Sequence, residues 1–251
     1  MSGYQEFALV YDLLTDDISY RERAEYFDSL IRQFGKPERG SLLDLACGTG
    51  SLSEEFADLG YDVIGCDSSP DMLSLAQNKL LESHSSITYL CQPMEQLDLY
   101  GTVDCAVCAL DSLNHIMKLS VLERVFSRVS LFLEPEGVFV FDLNTQWKHR
   151  EILANNTFVY DYDEVYLVWR NTLLSDDVVQ IDLDFFQRNQ NGYQRYQESF
   201  CERAYSTQEL ETALNQAGLY VAGRYRADTM ESPSLDTQRI VYVVKKGRRL
   251  E

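Results

Sequence analysis

The sequence predicts an α/β fold: a mostly parallel sheet with helices on both faces, an antiparallel last strand and a small antiparallel β insertion. Three observations carry this. Over the first 150 of the 251 residues, apolar runs of strand length alternate with helical periods across short turns. That alternation builds a parallel sheet covered on both sides. From Asn155 to Tyr205 the helical period gives way to alternating apolar and polar residues. Finally, two closing apolar runs are joined only by a polar loop, which imposes an antiparallel pair.

Each element has its local reason. Ser19 with Glu22 forms a capping box for a helix that runs to Gly35. "SLLDLAC" reads as a strand, Leu52 to Leu59 as a helix and "YDVIGCD" as the next strand. Ser69-Pro70 supplies a cap and a first helical residue for a helix through about Leu81. "SITYLC", "VDCAVCAL" and "GVFVFDLN" are further strands, with an amphipathic helix over Leu119 to Leu133 between the last two. The 155–205 stretch, with runs such as "VQIDLDF" and an Asn191-Gly192 turn, is an antiparallel meander. A second capping box, Ser206 to Glu209, opens a helix stopping at Gly218, and "LYVAGRY" and "RIVYVVKK" close the sheet. The expected division is one domain from 1–150 and 206–251, interrupted by a β subdomain at 151–205.

Composition narrows the function by exclusion. A net charge of −18 opposes nucleic-acid phosphates and anionic lipid. The one basic cluster, Lys245-Lys246-Gly247-Arg248-Arg249, is a C-terminal tail. No run reaches the roughly 20 apolar residues of a membrane span, and the N-terminus lacks a signal-peptide pattern. Six cysteines without a disulfide framework suit a reducing cytoplasm. Cys105 and Cys108 have metal-knuckle spacing, but on a strand residues three apart point to opposite faces. No metal site is expected.

The stretch "SLLDLACGTGSLSEEFADLGYDVIGCDSS" carries the functional signal. A glycine turn between strand and helix is a ligand-free connection, a dinucleotide cradle or a nucleoside site. The dinucleotide pattern ends in a third glycine or alanine, and here Ser53 follows Gly48 and Gly50. Asp44, Asp67, Asp111 and Asp142 all fall at or near the carboxyl ends of the strands, where ligands bind in such sheets. Carboxylates crowded there oppose a pyrophosphate and suit a ligand bearing a sulfonium, an ammonium and a ribose. Asp67 comes 17 residues after Gly50, at the end of the next strand, where a carboxylate accepts ribose hydroxyls.

The string "LLDLACGTGSLSEEFADLGYDVIGCDSSPDML" resembles motif I and the following acidic strand end of class I S-adenosylmethionine-dependent methyltransferases. "YQEFALVYDLLTDDISY" and "ALDSLNHI" are similar to a YqeM-like bacterial branch of small-molecule type, over nearly the whole chain. The resemblance implies a Rossmann-like seven-stranded sheet and S-adenosyl-L-methionine as cofactor. It implies that Ala46, Cys47 and Gly48, with Gly50 in the same turn, meet the methionyl part through backbone, and that Asp44 holds its amino group. Asp67 would hold the ribose, Ser68 and Met72 would flank the adenosine, and Leu110 would pack beneath the methionyl chain. Tyr11 would close over the cofactor, or alternatively be a core aromatic of an N-terminal helix. One position departs from the family: "LCQPMEQL" puts Pro93 where an aspartate usually meets adenine, leaving Met94 and Glu95 for that role.

Methyl transfer needs alignment in a dry site and sometimes a base. The residues past the fourth strand face the methyl group in this architecture, so Asp111, Asn114 and His115 are the catalytic candidates. The alternative is that Asp111 and Asn114 cap the next helix and His115 faces solvent. The expected partner is a small-molecule methyl acceptor; of the insertion's aromatics such as Tyr160, Trp169, Phe185 and Tyr196, most are expected to be the meander's own core or a dimer surface, with a few available as a wall for a small acceptor such as a cationic amine. The assembly would be a monomer or homodimer. A protein methyltransferase, a nicotinamide-dependent oxidoreductase and a cofactor-binding regulator without transfer activity stay open at this point.

Overall fold

The computed structural model describes residues 19–36, 38–83, 86–190 and 192–247. Tyr11, Asn191 and the Arg248-Arg249 end of the basic tail lie outside the described residues. The chain opens with α1 (Tyr20–Phe34), then β1 (Ser41–Leu45), α2 (Ser51–Leu59), β2 (Asp62–Asp67), α3 (Pro70–Ser83) and β3 (Ile87–Cys91). A 3₁₀ turn at Met94–Gln96 leads to β4 (Val103–Cys108), and another at Ser112–His115 leads to α4 (Leu119–Phe132) and β5 (Leu133–Asn144). A π-helical turn, Lys148–Leu153, delivers the chain to β6 (Thr157–Asp161), β7 (Val165–Ser175), β8 (Val178–Asn189) and β9 (Gly192–Arg203). The last elements are α5 (Thr207–Gln216), β10 (Leu219–Arg226) and β11 (Arg239–Lys246).

Two sheets result, a seven-stranded one in the order β10-β11-β5-β4-β1-β2-β3 and a four-stranded one, β6-β7-β8-β9. β1 pairs parallel with both β2 and β4, so the strand order reverses there and a crevice opens beyond their carboxyl ends. β11 runs antiparallel to both β5 and β10, the closing pair that the loop-only connection predicts. Alternate residues of the strands feed two cores. Leu42, Cys105, Val107, Val138 and Val140 face α1 and α2. Leu43, Leu45, Ala106, Cys108, Phe139 and Phe141 face α4 and α5. Cys105 and Cys108 thus lie on opposite faces, and all six cysteines are free.

The caps act as their residue types dictate. Ser19 Oγ accepts from the Glu22 amide at 3.3 Å, and Ser206 with Glu209 makes a reciprocal box. β5 begins at Leu133, earlier than the expected Gly137, because its pairing with β4 shifts register around Pro135. Proline cannot donate to the ladder, and a bulge accommodates it. The π-helical turn is also new. Among the described residues no helix is long and apolar enough to cross a membrane.

Candidate functional site

The crevice is a cleft open to solvent, lined by Asp44, Ala46, Cys47, Gly48, Thr49, Ser51 and Leu52 from the first turn. Ala109, Leu110 and Ser112 line it from the end of β4, and Tyr20 from α1. The first turn coils tightly: Ala46, Gly48 and Gly50 all have positive φ, at 62°, 54° and 78°. At Gly50 a Cβ would also crowd Tyr89 Oη and Ala76 Cβ, so a side chain there would force the Tyr89 ring to shift. The Gly50 amide closes the turn onto the Cys47 carbonyl at 3.0 Å.

Asp67 is placed at the edge of this turn, half-buried. Its Oδ2 accepts from the Gly48 amide at 2.9 Å and its Oδ1 from the Ser69 amide at 2.8 Å. The carboxylate therefore pins the glycine turn to the start of α3 while keeping lone pairs on each oxygen. Asp44 lies deeper, 2% exposed, and its Oδ2 accepts from Ser53 Oγ at 2.6 Å. Burial pushes its carboxyl up to about 6, the Ser53 hydrogen bond opposes that, and the Asp67 charge adds to it. Ser53, the residue that breaks the dinucleotide pattern, is the group that holds this carboxylate. Among the described residues no cation faces Asp44.

Ser68 is exposed and Met72 buried at the start of α3, while Met94 and Glu95 are half-buried in the 3₁₀ turn that Pro93 opens. Gln92 brackets that turn by exchanging hydrogen bonds with the Asp98 backbone at 2.8 and 3.2 Å.

Beyond β4, Leu110 and Asp111 are successive left-handed residues, φ 57° and 53°, a costly conformation for side-chain-bearing residues. Asp111 is fixed from three sides. Its amide donates to Asp142 Oδ1 at 2.7 Å, its Oδ1 accepts from Arg239 Nη2 at 2.8 Å, and its Oδ2 accepts from Asn144 Nδ2 at 2.5 Å. Burial raises the Asp111 pKa, but Arg239 and Lys148 overcome this and hold the carboxyl below its ordinary value. Asp142, fully buried, also accepts from Arg239 Nη1 at 3.2 Å and Arg23 Nη1 at 3.1 Å. Lys148 Nζ donates to Asn144 Oδ1 at 2.9 Å, and burial pulls its pKa below the ordinary lysine value.

This corrects the four-carboxylate rim. Asp111 and Asp142 are matched by Arg23 and Arg239, so the argument for a cationic ligand rests on Asp44 and Asp67. Asn114 is also placed otherwise than expected. It is fully buried, donates to the carbonyls of Asn144 and Arg203 at 3.2 and 2.9 Å, and accepts from the Asn144 amide at 2.9 Å. It joins β5 to β9 and is sealed away from the cleft; neither it nor Asp111 caps α4, whose N-cap is Lys118. His115 is exposed, with its ring 4.9 Å from that of Phe200 on β9. The arginines had no motif to announce them. Arg239 reaches Asp111 because β11 sets it opposite Asn144, a register that the sequence leaves open.

A seven-stranded sheet with a cleft at its switch point, a glycine turn and an acid ending β2 define the class I methyltransferase architecture. The comparisons agree. A family model described as a methyltransferase domain matches residues 42–137. YqeM of Bacillus subtilis (strain 168) is 32% identical over 250 residues, 98% of each chain. The crystal structure of an S-adenosylmethionine-dependent methyltransferase from Clostridium acetobutylicum ATCC 824 matches with a TM-score of 0.88 at 33% identity, over 98% of this chain and 100% of that one. The S-adenosylmethionine-bound amino pentose methyltransferase from Micromonospora echinaspora shares the fold, with a TM-score of 0.75 at 21% identity over 93% and 96% of the two chains.

The chain belongs to the class I S-adenosylmethionine-dependent methyltransferases, in their YqeM-like branch, and is an enzyme that uses S-adenosylmethionine. The cleft suits that cofactor: Asp44 is a buried carboxylate lining it with no counter-ion among the described residues, a partner that an α-amino group could provide.

Proposed function

We propose that this enzyme methylates a small molecule that sits between the Ser112–His115 turn and the second sheet. The observation that supports this most is the His115–Phe200 contact at 4.9 Å. Ser112 lines the cofactor cleft, and His115, three residues on, touches the apolar face of the second sheet. The cofactor side and that face are therefore neighbours. On this reading residues 151–205 are a subdomain covering the acceptor, and 1–150 with 206–251 bind the cofactor.

When bound, S-adenosylmethionine supplies a methyl group on a sulfonium, activated for in-line displacement. Asp44 holds the amino group, the Ala46-Cys47-Gly48 backbone with the Gly50 turn receives the methionyl part, and Asp67 takes the ribose. Ser68, Met72, Met94 and Glu95 frame the adenosine, and Leu110 supports the methionyl chain. Asp111 positions the strained turn through Arg239 and Asn144, and His115 faces the acceptor as the available base. The acidic surface, at −18, disfavours nucleic acid as acceptor, and six free cysteines suit the cytoplasm.

Calorimetric titration with S-adenosylmethionine and its demethylated product tests the cofactor roles. Both should bind the wild type, and Asp67→Ala should weaken both by at least about tenfold, the effect of removing one charge-assisted contact. Unchanged affinity in that variant would remove Asp67 from the site. Transfer of labelled methyl into a low-molecular-weight extract tests the acceptor class; label found only in macromolecules would overturn it.

A further inference from the structure

The second sheet carries one feature that methyl transfer by itself leaves unexplained. Cross-strand partners share a face, and the register aligns Phe158, Trp169, Leu183 and Glu198 in one row across all four strands. The next rows are Tyr160, Leu167, Phe185 and Tyr196 on one side, and Asn171, Ile181 and Phe200 on the other. Glu198 thus stands in an aromatic and aliphatic field, between Tyr196 and Phe200 along β9. This is the face that His115 touches from the cofactor rim.

A second carboxylate on the same face, Glu202, is answered within the fold: Asn144 Nδ2 donates to it at 3.1 Å and His149 Nε2 lies 3.5 Å away. Glu198 is not. Among the described residues it has no hydrogen-bond or ion-pair partner, and its pKa is raised by loss of water alone. Of the four arginines on these strands, Arg170 and Arg195 pair with Asp184 on the opposite face at 2.9 and 2.5 Å, Arg203 pairs with Asp177 and Glu209, and Arg188 alternates onto the face away from Glu198. A half-buried carboxylate left uncompensated costs stability. It is also reachable from solvent, beside rings whose faces attract cations. Trp169 is held in place, its Nε1 donating to Asn171 Oδ1 at 2.7 Å and its ring edge-on to Phe158 at 5.7 Å.

We propose that Glu198, with Tyr196, Phe200 and Trp169, forms a subsite for the ammonium group of the acceptor, so that the substrate class is a small organic amine. This rests on the methyl-transfer reading of the adjoining cleft and adds to it the chemistry of the acceptor. A neutral hydroxyl would leave the carboxylate charge unanswered, and an anion would be repelled. The strongly negative chain adds a long-range pull on cations.

The test uses full-length protein saturated with S-adenosylhomocysteine and two probes of equal shape, phenethylammonium and 2-phenylethanol. The wild type should bind the ammonium at least tenfold more tightly than the alcohol. Glu198→Gln should abolish that preference and Glu198→Asp should retain most of it. Because the carboxylate is uncompensated, Glu198→Gln should melt at or above the wild-type temperature, which separates lost recognition from lost folding. Equal binding of the two probes to the wild type, or a preference that survives Glu198→Gln, overturns the proposal. A second arm separates it from the parent reading. Labelled methyl is transferred into a small-molecule extract that is then split on a cation exchanger. Label in the retained fraction that Glu198→Gln removes supports the amine. Label in the unretained fraction, indifferent to the variant, overturns the amine and leaves small-molecule transfer standing. Label in macromolecules alone overturns both. The binding arm decides even where the extract lacks the acceptor.

Discussion

Asp44 is a carboxylate whose environment makes its charge conditional. It is buried, steadied by Ser53 and, among the described residues, faced by no cation, the role that the proposed function gives to the cofactor's amino group. With its carboxyl pushed up to about 6, Asp44 is ionised at pH 7.5 and neutral at pH 5 in the ligand-free protein. Two consequences follow with opposite signs. A neutral Asp44 cannot hold the cofactor ammonium as an ion pair, so S-adenosylmethionine affinity should fall by up to about tenfold per pH unit below 6. In Asp44→Asn affinity should be low throughout, with that pH dependence absent; calorimetry between pH 5 and 8 checks both. The ligand-free stability runs the other way. A folded pKa above the unfolded one means that ionisation costs stability, so this contribution improves as pH falls through 6 towards the ordinary carboxylate value. Asp44→Asn should therefore raise the ligand-free melting temperature at pH 7.5 while weakening cofactor binding. A variant that lost both would show that Asp44 is a structural residue only.

At the scale of elements, the cleft depends on β11 having the right register. Arg239 sits at the first residue of that strand, opposite Asn144, and there bridges Asp111 at 2.8 Å and Asp142 at 3.2 Å. Removing it leaves a buried Asp142 and a half-buried Asp111, with Arg23, Lys148 and His115 among the remaining neighbours that can carry positive charge. Breaking a buried ion pair from one side typically costs about 3–5 kcal/mol. Arg239→Met should lose about that much in urea unfolding, and Arg239→Met with Asp111→Asn should recover part of it. A loss below about 1 kcal/mol would mean that the pair is solvent-screened. The same strand explains what the sequence revealed and what it withheld. Ser19, Ser206 with Glu209, the glycine turn and the strand ending in Asp67 are local signals, each interpretable within a few residues, and they place the cleft. Arg23 and Arg239 are remote in sequence and meet Asp142 only through α1 packing and the β11 register. The paired charges across the rim were therefore invisible, and a rim of bare carboxylates was the natural misreading. Asn114 failed for a related reason. Its position after β4 suggested a reactive loop, but Ser112–His115 winds as a 3₁₀ turn that buries Asn114 between β5 and β9 and leaves His115 outward. The π-helical turn at Lys148–Leu153 has no motif of its own; it ends at Leu153, which enters the apolar core of the second sheet.

For the whole molecule the governing quantity is charge. Forty acidic residues against 22 basic ones leave −18 on one chain. Self-repulsion on that scale weakens the compact state, while the same field draws cations towards the surface. Salt should separate these two effects. Raising ionic strength from about 0.01 M to about 1 M shortens the screening length from about 30 Å to about 3 Å. Repulsion spread over the surface is then largely removed, and the ligand-free melting temperature should rise. Over the same range the affinity for phenethylammonium should fall while that for 2-phenylethanol stays level, because only the charged probe feels the field. The partly dry Glu198 contact is screened less than the surface, so a residual preference for the ammonium should persist at high salt in the wild type and be absent in Glu198→Gln. If the preference vanishes completely at high salt in both, the attraction belongs to the diffuse charge of the chain. A preference that persists only where Glu198 is present belongs to the subsite, and the negative surface then serves mainly to bring the amine to it.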